Sequence, residues 1–268
     1  MRPFLKKSYK GRFPFRLGTT SFIYPEGYAA NVATLAPYVD EIELLMFESR
    51  SADSLPGREE IRQLKRLADT HRITYSVHLP IDVHPGAADP AARRQAVDAL
   101  VRIAERTAAL EPCSYIVHLP HVGSRPEADA PEAWQEFNRL SLQRLIARGV
   151  PKNRLCIENL DYPIDWIRPI LGEFGLSLCL DIGHLIIQGV DPAGVFDRFR
   201  DRISVVHLHG VQNGRDHLAL TDAQRVMMQA LVTLLRTFRG SLSLEVFDFS
   251  NLEDSLAFFE KLWQTGHT

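Results

Sequence analysis

Six apolar, strand-like runs each end in a side chain able to bind a metal: Ser76-Val77-His78, Ile116-Val117-His118, Cys156-Ile157-Glu158, Cys179-Leu180-Asp181, Val205-Val206-His207 and Ser243-Leu244-Glu245. With 33 acidic residues and 10 histidines in 268, an arbitrary position carries such a side chain about one time in six, so six endings argue for a shared purpose. A strand alternates its faces, so Glu158, Asp181, His207 and Glu245 each point the same way as the residue two before them. Carboxylates gathered at one mouth are costly to desolvate, and with histidines beside them they invite a divalent cation. His184 follows Asp181 in Asp181-Ile182-Gly183-His184, where Gly183 permits a tight exit from the strand. His78 and His118 share the context Val-His-Leu-Pro, and His209 lies two residues past His207 as a further ligand or a substrate contact. His217 falls in the loop after the seventh strand. Nitrogen and oxygen donors without cysteine suit Zn²⁺, Mn²⁺ or Fe²⁺ better than Ca²⁺. The expected ligands are His78, His118, Glu158, Asp181, His184, His207, His217 and Glu245. They exceed what one ion needs, and two or more ions bridged by Glu158 would account for the surplus, within a range of one to three per chain. The pattern implies a metal-dependent enzyme.

Such endings meet only if the strands converge. Runs at about 15–21, 41–47, 74–79, 114–119, 154–159, 176–182, 203–209 and 241–247 alternate with amphipathic helical segments, which predicts an α/β (β/α)8 TIM barrel with its site at the C-terminal strand ends. Asp89-Pro90 and Asp191-Pro192 read as helix starts, with Asp as N-cap and Pro in the first turn. Ala99, Ile103 and Leu110 mark one helix face, and Leu256, Phe259 and Leu262 another. The connections Pro80–Ala88 and Pro120–Pro131 are long for such a fold and read as substrate-binding loops. Phe22, Tyr24, Phe47, His84, His209 and Arg215 are the expected substrate contacts. Residues 15–268 read as one barrel domain behind a basic arm, 1–14, which is either a solvated tail or a flap that steers an anionic substrate.

The composition narrows the partners. A net charge of −2 and a pI near 6.6 give no global attraction to nucleic acid, so a small-molecule substrate is expected. Cys113, Cys156 and Cys179 are too scattered for a disulfide framework, and Cys156 and Cys179 read as small core residues. No apolar run resembles a signal peptide or membrane span, which makes the cytoplasm the default address. Oligomeric state is left open.

The order His78, His118, Glu158, Asp181-x-x-His184, His207, His217, Glu245 resembles the xylose isomerase-like barrel superfamily, and most closely its AP endonuclease 2 branch, to which endonuclease IV belongs. The resemblance runs from Gly18 to Glu245. It implies three zinc positions, with His78 and His118 on an outlying ion and Glu158 as the bridge. The branch has an Asp two residues before the loop histidine, whereas here that place is Arg215 and the acid is Asp216, which puts the third ion in doubt. Leu17-Gly18-Thr19-Thr20-Ser21-Phe22-Ile23 and Asp40-Glu41-Ile42-Glu43-Leu44-Leu45-Met46-Phe47-Glu48-Ser49 are similar to the cobamide-remodelling phosphodiesterases of this superfamily. That similarity implies hydrolysis of the phosphodiester in a cobamide's nucleotide loop, with Glu158 and Glu245 as catalytic carboxylates. The alternatives are a sugar isomerase or epimerase using one Mn²⁺ or Mg²⁺ on Glu158, Asp181, His207 and Glu245, and a non-catalytic binding barrel.

Overall fold

The computed structural model describes residues 2–49, 55–122 and 131–265. Its strands are β1 (Arg16–Thr20), β2 (Glu41–Leu45), β3 (Thr74–His78), β4 (Tyr115–Val117), β5 (Leu155–Glu158), β6 (Ser177–Asp181), β7 (Ile203–Leu208), β8 (Gly210–Gln212), β9 (Arg215–Leu218) and β10 (Ser241–Leu244). Eight of them close into a parallel barrel in the order β1-β10-β7-β6-β5-β4-β3-β2, while β8 and β9 form a separate antiparallel hairpin. The TIM barrel read from the sequence is therefore the observed fold, and each expected strand contains an observed one.

The helices are α1 (Tyr28–Leu35), α2 (Arg58–His71), α3 (Pro90–Thr107), α4 (Glu132–Ala147), α5 (Arg168–Phe174), α6 (Ile182–Ile187), α7 (Pro192–Phe199), α8 (Arg225–Leu235) and α9 (Phe249–Thr265). Asp89 and Asp191 cap α3 and α7 as expected, each accepting two backbone N–H bonds from the first turn. Ala99 and Ile103 are buried on α3, whereas Leu110 belongs to a 3₁₀ turn, because α3 ends at Thr107. Leu256, Phe259 and Leu262 of α9 pack into the core between helices and sheet. Among the described residues no helix is long and apolar enough to cross a membrane.

Two cores result. The larger lies between sheet and helices, and a small apolar cluster of Ile116, Cys156, Cys179 and Val205 fills the barrel interior. Each of these four stands two residues before His118, Glu158, Asp181 or His207, so the pleat aims those side chains along the same inward face, one layer nearer the mouth. Register agrees: Asp181 lies beside His207, and His207 beside Ser243. At the opposite end Glu41 closes the barrel, accepting from Arg16 Nε and Thr74 Oγ1 at 2.9 Å and from Ser241 Oγ at 2.8 Å.

The described part of the basic arm is packed, which corrects the solvated-tail reading. Leu5 and Tyr9 are buried, Lys7 and Arg12 pair with Glu260 of α9, and Lys10 bonds the carbonyls of Ala36 and His71.

Candidate metal centre

The histidines at the strand ends are oriented by the backbone. His78 Nδ1 lies 2.9 Å from the carbonyl of Leu79, His184 Nδ1 2.9 Å from that of Asn159, and His217 Nδ1 3.0 Å from that of Glu245. A carbonyl only accepts, so each Nδ1 carries a proton, and Nε2 is the nitrogen that a bound cation would take once its own proton is given up. His207 is turned the other way. Its Nδ1 faces Glu245, Glu158 and Asp181 at 3.0, 3.6 and 3.8 Å, while its Nε2 lies 3.1 Å from Glu43 on β2. A carboxylate behind a metal-facing imidazole fixes the tautomer and raises its basicity. Asn159 steadies Asp181 by accepting its N–H at 2.8 Å and donating to its carbonyl at 3.0 Å.

Glu158 is the hub. Its Oε2 lies 3.1 Å from His118 Nε2 and 3.2 Å from His78 Nε2, and its Oε1 faces His184. Burial opposes its ionisation, yet the charges of His118 and His207 outweigh burial and hold the carboxyl well below the usual range. Glu245 is lowered by His207, and Asp181 by His184 and His209, each against burial. Burial pushes His184 down, but Asp181 and Glu158 lift it to about 9. His78 is raised by the hydrogen bond and charge of Glu158, and His207 well above its ordinary value by Glu245 and Glu43.

These donors sort into groups whose ligand atoms lie within 4.8 Å of one another: His78, His118 and Glu158; Glu158, Asp181, His207 and Glu245; and His184, Asp216 and His217. The last group answers the doubt raised by Arg215. Asn213 and Gly214, both at positive φ, make a tight turn that folds β9 back over the mouth and brings Asp216 to His184. The donor chemistry fits divalent cations. His118 Nε2, both ring nitrogens of His207, both oxygens of Glu43 and Glu245 Oε2 are buried and make no well-aligned hydrogen bond, the nitrogens facing carboxylates only in ion-pair contacts of 3.0–3.1 Å, and a bound cation would give such a cluster the ligation it lacks. The Cys179 thiol also reaches Glu158 and His207, but burial pushes it well up and keeps it protonated.

Beside the groups opens a cavity of about 860 Å³, lined by His118, His184 and Asp216 together with Leu160, Tyr162, Ile187 and Val190. His121 lines it too, edge-on to Trp166 at 5.2 Å. It is the described start of the long fourth connection, whose residues 123–130 lie outside the described part.

All eight expected ligands meet at this mouth. The expected substrate contacts divide. Phe47 stands edge-on to His78 at 5.8 Å, and Phe22 is exposed beyond β1. Arg215 is exposed on the hairpin. Tyr24 is instead buried, donating to the Pro3 carbonyl beneath the Arg2 guanidinium, so it anchors the arm. His84 lines a separate cavity with Ser49, Asp82 and Arg102, because the Pro80–Ala88 loop packs on α4, where Ser141 bonds the Pro85 carbonyl. His209 is fully buried, with no face open to a substrate. The sequence reading passed over Glu43; its signal was an acid on the inward face of Glu41-Ile42-Glu43-Leu44-Leu45, a run buried throughout.

The chain matches the family described as Xylose isomerase-like TIM barrel over residues 36–262. Inosose dehydratase of Lacticaseibacillus casei is 34% identical over 62 residues, which are 21% of each chain. The chain thus spans about a fifth of the length of the curated relatives it matches. Among solved structures, a D-tagatose 3-epimerase-like protein superposes with a TM-score of 0.74 at 19% identity, covering 94% of this chain and 98% of its own. Endonuclease IV from Thermus thermophilus gives 0.69 at 21% identity, covering 93% and 99%. D-allulose 3-epimerase from Methylomonas sp. gives 0.68 at 17%, covering 93% and 90%. At these identities the likeness speaks for the fold, and together with the match over 36–262 it makes this chain a member of the xylose isomerase-like TIM barrel family.

Proposed function

We propose that the chain is a metal-dependent phosphodiesterase that hydrolyses the nucleotide-loop phosphodiester of a cobamide, leaving a cobinamide phosphate and a released α-riboside. The observation that carries the hydrolytic reading is the position of Glu158 between two donor groups, one with His78 and His118 and one with Asp181, His207 and Glu245. Glu158 with His78 and His118, the central four, and His184, Asp216 and His217 would hold divalent ions, which would supply Lewis acidity toward water and phosphate oxygens. The chain's own groups do the rest. Glu158, kept anionic, spans the groups and orients the nucleophilic water, and Glu245, also anionic, stands 3.0 Å from His207 as a proton acceptor. His78, His184 and His217, locked by backbone carbonyls, present a constant set of Nε2 atoms. The apolar part of the cavity lining, Leu160, Tyr162, Ile187 and Val190, suits a bulky, partly apolar molecule, which supports a corrinoid substrate.

A second reading, a sugar isomerase or epimerase, is favoured by the central group. Glu158, Asp181, His207 and Glu245 suffice for one Mn²⁺ or Mg²⁺, and the two glutamates could exchange protons on opposite faces of a ketose. It leaves His78 and His118 without a chemical task. Incubation of metal-loaded protein with a panel of cobamides and a panel of ketoses decides between them. Mass spectrometry should find cobinamide phosphate and α-riboside; an epimerised ketose with intact cobamides would overturn the assignment.

A further inference from the structure

His209 sits among the donors, yet its nitrogens are both committed elsewhere. Its Nδ1 accepts the backbone N–H of His217 at 3.0 Å. A backbone amide can only donate, so Nδ1 carries no proton; the Gly210 carbonyl, 3.5 Å away, is too far to compete. The ring proton therefore resides on Nε2, which points at Asp181 Oδ2 over 3.1 Å. His209 lies within reach of His217 and Glu245, but no lone pair remains for a cation.

What the two bonds hold is specific. Asp181 belongs to the central group, and His217 to the group on the hairpin. His217 has φ 53°, a left-handed conformation that a residue with a Cβ adopts at a cost, and the bond to His209 is what keeps its amide turned inward. From that turn its Nδ1 reaches the Glu245 carbonyl, which leaves Nε2 as the nitrogen a cation would take. The imidazole of His209 is seated in turn by Gly183: a Cβ there would stand 1.9 Å from His209 Cε1 and within 2.6 Å of both ring nitrogens. The glycine in Asp181-Ile182-Gly183-His184 thus makes room for this ring as well as for the exit from β6.

We propose that His209 is a positioning residue that ties the central donor group to the hairpin group, orienting Asp181 through Nε2–H and the His217 turn through Nδ1. The inference rests on the metal reading above. It is tested by cobalt(II) titration of the wild type, His209→Phe, His209→Gln and Gly183→Ala, with elemental analysis, visible spectra of the loaded proteins and circular dichroism to establish folding. His209→Phe fills the same space without either bond. It should bind the Asp181 and His217 ions about 10–100-fold more weakly and shift the cobalt spectrum, yet regain the full number of ions at saturation. Gly183→Ala touches no donor and should give the same signature by displacing the ring. His209→Gln, which offers both a donor and an acceptor, should recover part of the affinity. Unchanged affinity and spectrum in folded His209→Phe and Gly183→Ala would overturn the proposal. So would loss of one equivalent that saturation does not restore, which would make His209 a ligand. A wild type that takes up no ion would instead defeat the metal reading itself.

Discussion

At the scale of single residues, the site is governed by which histidine nitrogen holds a proton. Replacing Glu158 with Gln keeps its shape but removes the charge shared by two donor groups. Glu158→Gln should lose bound metal and lower turnover by orders of magnitude; wild-type turnover at saturating metal would show that Glu158 is not the hub. Protonation predicts a pH dependence as well. His184 is lifted to about 9 in the metal-free protein, above its ordinary value near 6.5, so its ion pairing stabilises the metal-free fold fully below 6.5 and is lost as pH rises through about 9. An ion bound to its Nε2 must displace that proton. Calorimetry in buffers of different ionisation enthalpy should therefore find protons released on metal binding at pH 7 and fewer above pH 9. Equal release at both would mean that His184 is not a ligand. Glu43→Gln removes the charge behind His207 and should weaken metal binding by about 10–100-fold, read by titration against a metal indicator.

At the scale of elements, the strand ends were legible because a buried parallel strand is an apolar run, and a histidine or acid that ends one stands out. Glu43 did not stand out. It sits inside β2 rather than at its end, and only the closed barrel shows that a run buried throughout turns this acid toward His207. The hairpin was hidden for a different reason. Asn213-Gly214 is a strong turn signal, but only the folded hairpin shows that Asp216, one place away from the branch's usual acid, still reaches His184. Tyr24 and His84 were misplaced because a loop's sequence position does not reveal whether it faces the mouth or packs on a helix. The closed end of the barrel can be tested apart from the site. Glu41→Gln gives up a charge that accepts three hydrogen bonds and should cost about 1–3 kcal/mol in urea denaturation while leaving metal content unchanged. Loss of metal in that variant would mean that the two ends of the barrel are coupled.

At the scale of the whole molecule, six barrel strands, α6 and the β8–β9 hairpin bring eight candidate ligands from distant parts of the chain to one mouth. Structures named as epimerases and as an endonuclease share this fold, so the fold alone does not choose the reaction; the choice rests on the donors beyond the central four. His78 and His118 are therefore where the account is most exposed. The measurement that tests it most directly is elemental analysis of His78→Ala and His118→Ala beside assays of cobamide cleavage and ketose epimerisation. Each variant should lose up to one equivalent of metal relative to the wild type and all cobamide cleavage, because the phosphate then lacks a second electrophile. Unchanged metal content with retained ketose epimerisation would contradict the phosphodiesterase and leave the one-metal epimerase in its place.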